Sequence, residues 1–388
     1  MKVTISVGGR FHAFYLAQQL LKRGYLKQLI TSYPKFEVTK YGIPENKVSA
    51  VIIKEAMARL WSFLPSSLTK FYDPQYAISE IFDQEAKKRL IDSDILVAWS
   101  GFALHTLRRA KDMGIKTILE RGSSHILYQT EILKEEYEKS GLRPRFAHPK
   151  IVEKELKEYE EADYISIPST FTKKTFLNHE IPESKLIHVP YGVDLDSFRQ
   201  IPKEDKVFRV IHCGGMTLRK GVHYLLQAFH ELNLLDSELW LIGSMGEEMQ
   251  PFFRRFGNSK VIHKGPYPQN ELYKYYSQGS VFVIMSIEEG LAVVQTQAMA
   301  CGLPVICTTN TGGEDIIRDG LDGFIIAIRG IKSLKEKLSY LYENRDTCKA
   351  MGQSAKERVS RGFTWDDYGD RMVKAYSKCI EHPNMVMR

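Results

Sequence analysis

No stretch of this 388-residue chain stays apolar for the length of a bilayer crossing, and residues 1–7 run straight into a strand pattern with no basic leader before it. Neither a spanning helix nor a cleavable signal is expected, which places the chain in the cytoplasm. Cysteine is sparse: Cys213, Cys301, Cys307, Cys348 and Cys379 are odd in number and form no C-x-x-C pair. That argues against a disulfide framework or a zinc site and for reduced thiols. No G-x-G-x-x-G follows the first strand, so a dinucleotide has no glycine cradle there. Nucleic acid is not expected either. The basic doublets, such as Lys22-Arg23 and Arg108-Arg109, are interleaved with acids, and no zinc-finger, RRM or helix-turn-helix pattern accompanies them. What the composition does hold is a formal charge of +7, which suits an anionic ligand or an acidic membrane surface.

The length exceeds one ordinary hydrophobic core, so two domains of about 150–200 residues are expected. Short apolar runs at 2–7, 28–31, 94–98, 117–119, 164–167 and 186–189 alternate with helical patterns, the signature of a doubly wound parallel sheet. The segment 200–206 is polar, carries Pro202 and has no periodicity, so it reads as a linker. The strand-helix alternation restarts at Phe208. The expected division is therefore an N-terminal Rossmann-like domain over 1–199, the linker 200–206, a second Rossmann-like domain over 207–362, and a C-terminal helix over 363–388. Thr364 is a fair N-cap for that helix, with Asp367 three positions on.

Two stretches of the second half carry chemistry. The first is Ser286 to Ile306, which follows the buried run 280–285 and reads as strand, turn, helix, strand. In such a unit the backbone N–H groups of Gly290, Leu291, Ala292 and Val293 lack partners inside the helix and make an anion site at the strand's carboxyl end. Small side chains at Gly290 and Ala292 would admit a phosphate, and Glu289 would accept hydrogen bonds from a polyol. A phosphate beside a sugar suggests a nucleotide sugar. The second stretch is Gly214 to Gly221, where a glycine-rich loop ends in Arg219 and Lys220 at a helix start. Adjacent cations there suit a diphosphate that gains charge as a bond to it breaks.

The segment Ser286–Ile306 resembles the signature of the retaining glycosyltransferases of family 4, whose GT-B fold has two facing Rossmann-like domains. In that family a glutamate contacts the donor sugar and a second, eight positions on, the nucleotide's ribose. Glu289 matches the first; Gln297 stands at the second, keeping an acceptor oxygen but losing the charge. Lys220 matches the family's diphosphate lysine. Its arginine position is Gly215, so Arg219 is expected to share that work. The resemblance also assigns the N-terminal glycine turn, Gly8 and Gly9, to a place opposite the donor phosphates, and the loop around Gly265 and Tyr267 to the nucleobase. His125 is its candidate contact to donor sugar and phosphate. The V-P-x-G-V-D run at Val189–Asp194 and the closing motif around Gly312-Gly313 and Gly323 extend the match, which is strongest from Val189 to Phe324 and thin before Tyr164.

The function implied is transfer of a sugar from a UDP-, GDP- or ADP-linked donor to a carbohydrate or lipid-linked acceptor, with retention of anomeric configuration, in polysaccharide, lipopolysaccharide or glycolipid synthesis. The reading finds no D-x-D motif, so a divalent metal is not required by it, and no other cofactor is expected. Because Gly215 and Gln297 depart from the pattern, a lapsed nucleotide-sugar-binding partner stays open as an alternative, as does an epimerase on the same fold. A further stretch, 54–70, is apolar and aromatic with basic residues on either side; it reads as core packing or as a surface helix resting on the inner face of a membrane.

Overall fold

Apolar runs too short for a helix core and rich in β-branched residues become two wholly parallel sheets in the computed structural model, which describes residues 1–62, 73–143 and 146–381. The first sheet contains β1 (Val3–Val7), β2 (Leu26–Thr31), β3 (Val48–Ala50), β4 (Ile95–Trp99), β5 (Lys116–Glu120), β6 (Tyr164–Ile167) and β7 (Leu186–His188), ordered β3-β2-β1-β4-β5-β6-β7. The second contains β8 (Phe208–Cys213), β9 (Ser237–Ile242), β10 (Val261–Gly265), β11 (Val281–Ile284), β12 (Val305–Thr308) and β13 (Gly323–Ile326), ordered β10-β9-β8-β11-β12-β13. Helices cover both faces of each sheet, so β1, β4, β8 and β11 are buried along their whole length. The order in which successive strands are added reverses between β1 and β4 in one sheet and between β8 and β11 in the other. At such points an open α/β sheet leaves a crevice beyond its carboxyl edge. Here the two crevices face each other.

Strands β3 and β13 were not expected from the sequence. Both are short, and neither has enough residues for a period to show. Of the apolar stretch 54–70, the helix Ile53–Ser62 is described, with Ile53 and Leu60 exposed; residues 63–70 lie outside the described residues. The last helix, Trp365–Glu381, starts with a reciprocal cap: Thr364 N–H and Oγ1 both donate to Asp367 Oδ2, at 2.9 and 2.7 Å, and Asp367 N–H returns to Thr364 Oγ1 at 3.1 Å. That helix lies against the helix Ala13–Lys22 of the first lobe. Lys22 meets Asp366 at 2.7 Å, Arg23 meets Asp370 at 2.6 Å, and the rings of Tyr15 and Trp365 stack at 4.3 Å.

Candidate active site

The second-lobe face of the cleft begins with a glycine that nothing else could replace. Gly221, at φ 62°, caps the helix Val222–Leu232, and a Cβ there would lie 1.9 Å from the Met285 carbonyl oxygen. This close approach sets the loop after β8 against the end of β11. Ile287 N–H accordingly donates to the Arg219 carbonyl at 2.8 Å. The Lys220 ammonium pairs with the Glu289 carboxylate, and Arg219 Nε donates to the carbonyl and the carboxylate of Glu288 at 3.1 and 3.0 Å. The two cations and the turn after β11 thus share one surface. Of the four turn amides expected to be free, Ala292 N–H is taken by the Thr311 carbonyl at 3.2 Å. Those of Gly290, Leu291 and Val293 have no acceptor among the described residues.

Glu288 is the residue that sequence reasoning missed. It is fully buried, and its carboxylate crosses between the lobes to accept from Ser124 N–H at 2.9 Å, Ser124 Oγ at 2.7 Å and Gln129 Nε2 at 2.8 Å. Arg219 pairs with it at 2.9 Å and reaches on to Ser123 Oγ at 3.1 Å. Burial alone would push this carboxyl up, but the Arg219 charge and the donors from Gln129 and Ser124 outweigh it and hold its pKa at about 2. Beside it the lobes touch through backbone: a Cβ on Gly290 would stand 2.0 Å from the Gly122 carbonyl oxygen. Nothing local in the sequence distinguishes Glu288 from a surface acid. The only signal is its place next to Glu289.

A cavity of about 960 Å³ opens between the lobes. Tyr267, Gln297, Val293 and Val294 line it from the second lobe, and His12, Trp99, Glu120, Arg121 and Tyr191 from the first. Gln297 Oε1 accepts from Tyr276 at 3.4 Å, and the Tyr267 ring packs on Tyr275 at 4.2 Å. Lys220 and Glu289 are outside this lining. Gly265 ends β10, its carbonyl accepting from Gly243 at 2.9 Å, and Gly214 N–H donates to Ile242 at 2.9 Å. Gly215 has open space where a side chain would begin, the nearest atom being Ser244 Oγ at 3.9 Å. Gly8 and Gly9 close β1 beneath the rings of Phe102 and Phe11, which stand 2.5 and 2.8 Å from where their Cβ atoms would be. These rings cover the turn.

Two expectations need correction. His125 does not face the cleft. It is the N-cap of the helix Ile126–Lys139, Nδ1 accepting from Leu127 N–H at 3.4 Å, and its ring is stacked on His179 at 4.1 Å and packed on Tyr159 and Phe176. The cap turns the ring into the first lobe's interior, towards a separate surface pocket it shares with His179 and Tyr159. The chain also does carry D-x-D triplets, Asp92-Ser93-Asp94 and Asp194-Leu195-Asp196. The second borders the cleft, where the Asp194 carboxylate closes its own turn by accepting from Asp196 N–H at 3.0 Å and Ser197 N–H at 3.2 Å.

Residues 194–358 match the family model described as glycosyl transferases group 1. Over 334 residues the chain is 21% identical to an uncharacterized glycosyltransferase of Methanocaldococcus jannaschii, covering 79% of this chain and 81% of the relative. It is 24% identical over 239 residues to a GDP-mannose-dependent alpha-(1-6)-phosphatidylinositol monomannoside mannosyltransferase of Mycolicibacterium smegmatis, a match over 56% of this chain and 63% of that protein. Among solved structures, sucrose-phosphate synthase of Thermosynechococcus elongatus superposes with a TM-score of 0.75 at 14% identity, over 98% of this chain and all of the other. The Anabaena protein HepE in complex with UDP gives 0.72 at 14% identity, over 97% of this chain and 100% of that one. At these identities the structures speak for the shared two-lobed architecture.

Proposed function

We propose, for a chain that belongs to the group 1 glycosyl transferases and has the GT-B fold, a transfer of sugar from a nucleoside diphosphate to an acceptor hydroxyl with retention of configuration. The observation that carries the proposal is the shared surface of Lys220, Arg219 and the turn Glu289–Val293. A diphosphate leaving from there would meet the Lys220 ammonium and the amides of Gly290, Leu291 and Val293 as its charge grows, an electrostatic stabilisation already in place before reaction. Glu289 now holds Lys220. When the diphosphate takes the ammonium, the carboxylate is released to accept the hydroxyls of the donor sugar. Gln297 accepts from the ribose and the loop Gly265–Tyr267 meets the base. Arg219 holds the lobes in register through Glu288 and Ser123 and adds to the positive field.

The donor is a UDP-, GDP- or ADP-hexose, and the acceptor a carbohydrate or lipid-linked glycan of polysaccharide, lipopolysaccharide or glycolipid synthesis. Relatives of the chain include the GDP-mannose-dependent enzyme above and a capsular polysaccharide biosynthesis glycosyltransferase of Staphylococcus aureus, 25% identical over 241 residues. No helix of the described residues is long and apolar enough to cross a membrane. A glycolipid acceptor would be met at the membrane's inner face, where Ile53 and Leu60 offer apolar contact. The deciding experiment incubates the full chain with UDP-, GDP- and ADP-hexoses and a mixed glycan acceptor, following nucleotide release and the product's anomeric proton by NMR. Acceptor-dependent release with unchanged anomeric configuration is expected. Inverted product overturns retention, product without acceptor means an epimerase, and nucleotide bound without release means a lapsed enzyme.

A further inference from the structure

A second cavity, of about 910 Å³, lies where the linker 200–206 runs over the second lobe, and it shares no lining residue with the cleft between the lobes. Its walls are the linker, the end of the segment before β11, the Cys301–Leu303 turn before β12 and the first turn of the helix Arg345–Ser360. The linker is pinned there. Ile201 N–H donates to Ser277 Oγ at 3.0 Å, Glu204 N–H to Gln278 Oε1 at 2.9 Å, and Gln278 Nε2 to the Pro202 carbonyl at 3.2 Å.

Four of the lining side chains are cations, Lys203, Lys206, Arg345 and Lys349, against one acid, Asp205. That acid is already engaged: its carboxylate holds Arg209 at 2.8 Å and accepts from Val207 N–H at 3.1 Å. Among the described residues no carboxylate pairs with Lys203, Lys206 or Arg345, and Lys349 has only Asp346, 3.9 Å away at the open surface. The Lys203 ammonium is half-buried and donates to the Val207 carbonyl at 2.6 Å and to Ser280 Oγ at 2.8 Å, both of them neutral partners. Withdrawing a charge from water without a counterion is costly, and a bound anion would remove that cost. Arg345 is held by its faces. Its guanidinium lies over Phe208 at 4.4 Å and Tyr342 at 4.6 Å, which fixes the donor fork and leaves its N–H groups without an acceptor among the described residues. Beside it the helix Arg345–Ser360 starts with no side-chain cap, and the amides of Arg345, Asp346 and Thr347 likewise have no described acceptor.

We propose that this cavity binds a small phosphate monoester, at a site separate from the donor's. The phosphate takes the Lys203 ammonium and the Arg345 fork, the uncapped amides add to the field, and Lys206 and Lys349 complete the positive wall. No aromatic ring is among the described lining residues, and the rings of Phe208 and Tyr342 lie under Arg345, so a nucleobase has nothing to stack on. The ester is therefore that of a small polyol. The site stands independently of the transfer reaction above.

The ionisable groups around the Lys203 ammonium are Asp205 on the linker, Arg209 on β8, and Arg345 and Cys348 on the helix. Burial, Arg209 and Arg345 lower its pKa to about 8, while burial pushes the Cys348 thiol up to about 11. The test titrates the full chain calorimetrically with glycerol 3-phosphate, inorganic phosphate and glycerol, and records Tm for each variant. Saturable binding of both phosphates and none of glycerol is expected, with AMP displacing glycerol 3-phosphate no better than inorganic phosphate does. Lys203→Met and Arg345→Gln should each weaken glycerol 3-phosphate at least tenfold, and Lys220→Ala should change it no more than twofold. Lys349→Glu, at a side chain 82% exposed, should weaken it several-fold with Tm unmoved, and decides the matter if either half-buried variant fails to fold. Sulfate, whose charge is constant over this range, should bind more weakly as pH rises through about 8 and Lys203 loses its proton; Lys203→Met should abolish that dependence. Absence of saturable phosphate binding, or binding that falls with Lys220→Ala and not with Lys203→Met or Lys349→Glu, overturns the site. Displacement by AMP at lower concentration than by phosphate overturns the polyol class.

Discussion

The two lobes present unlike surfaces to the same cleft. The second lobe builds its face from backbone: glycine loops, turn amides and two cations adjacent in sequence. The first builds its interior from side chains distant in sequence that satisfy one another. Lys154 lies 2.6 Å from Glu80 and 2.9 Å from Asp83, so the Glu80–Asp83–His105 cluster, whose spacing would admit a metal ion, already has an ammonium for its cation. Glu158 accepts from the amides of Gly101, Ala103 and Leu104, yet burial and the neighbouring Glu155 push its pKa up to about 8. A phosphate site can be made from short local segments because amides and helix ends come with the backbone. A side-chain network needs the whole lobe folded before any member has its partner.

The comparison is most exposed where the two surfaces join. Glu288→Ala leaves Arg219 with its carboxylate gone, and Ser124 and Gln129 with their acceptor removed. Breaking one side of a buried pair costs about 3–5 kcal/mol, read as a lowered midpoint of the first transition in urea. A change below about 1 kcal/mol would show that the lobes are held together elsewhere. The pH dependence follows from the shift. With a folded pKa of about 2, below the usual carboxyl value, Glu288 contributes stability in full above the unfolded pKa of about 4.3 and loses it as pH falls towards 2. The Glu288→Gln variant should lack that acid-sensitive component.

Lys220→Ala tests the backbone-built face on its own. Its ammonium, 28% exposed, pairs with a Glu289 carboxylate that is 11% exposed, and it makes no contact across the lobes among those described. Stability should therefore stay near that of the unaltered chain while kcat/KM falls by about 100-fold or more, the scale of losing a principal transition-state charge. A loss below about fivefold removes Lys220 from that role. Loss of activity without loss of fold at Lys220, and loss of fold through Glu288, is the contrast that separates the two kinds of surface.

That contrast also explains what the sequence disclosed. The loop 214–221 and the turn 286–293 are each a few residues long, with strand before and helix after, so their geometry follows from local pattern. Lys220 and Glu289, 69 positions apart, meet because each sits on one of these units. His12 and Glu120 are 108 positions apart and Glu288 and Ser124 are 164 apart, and no local pattern marks either pair. Glu120 ends β5 and His12 lies in the loop after β1, and the order β1-β4-β5 brings those two carboxyl ends to one wall, whereas Glu288 meets Ser124 only where the two lobes join. His125 fails for the converse reason. It stands in the right loop, but side-chain direction at a helix N-cap is set by the cap.

His125→Ala carries the smallest expected effect and tests that last point. The ring is 2% exposed, its backbone N–H donates to Thr175 Oγ1 at 3.0 Å, and burial, His179 and Arg121 lower its pKa to about 3. It is therefore neutral at every working pH. A histidine so lowered destabilises the fold as pH drops from the unfolded value of about 6.5 towards 3, because only the unfolded chain takes the proton. Removing it deletes that acid sensitivity along with the cap and the stacking, so Tm at neutral pH should fall by a few degrees, about 2–4 °C per kcal/mol for a lobe of this size. With the ring turned away from the cavity, kcat/KM should remain within about threefold. A drop near that of Lys220→Ala would put the imidazole on the donor after all, and would mean that the loop after β5 reverses its side chains when the nucleotide sugar binds.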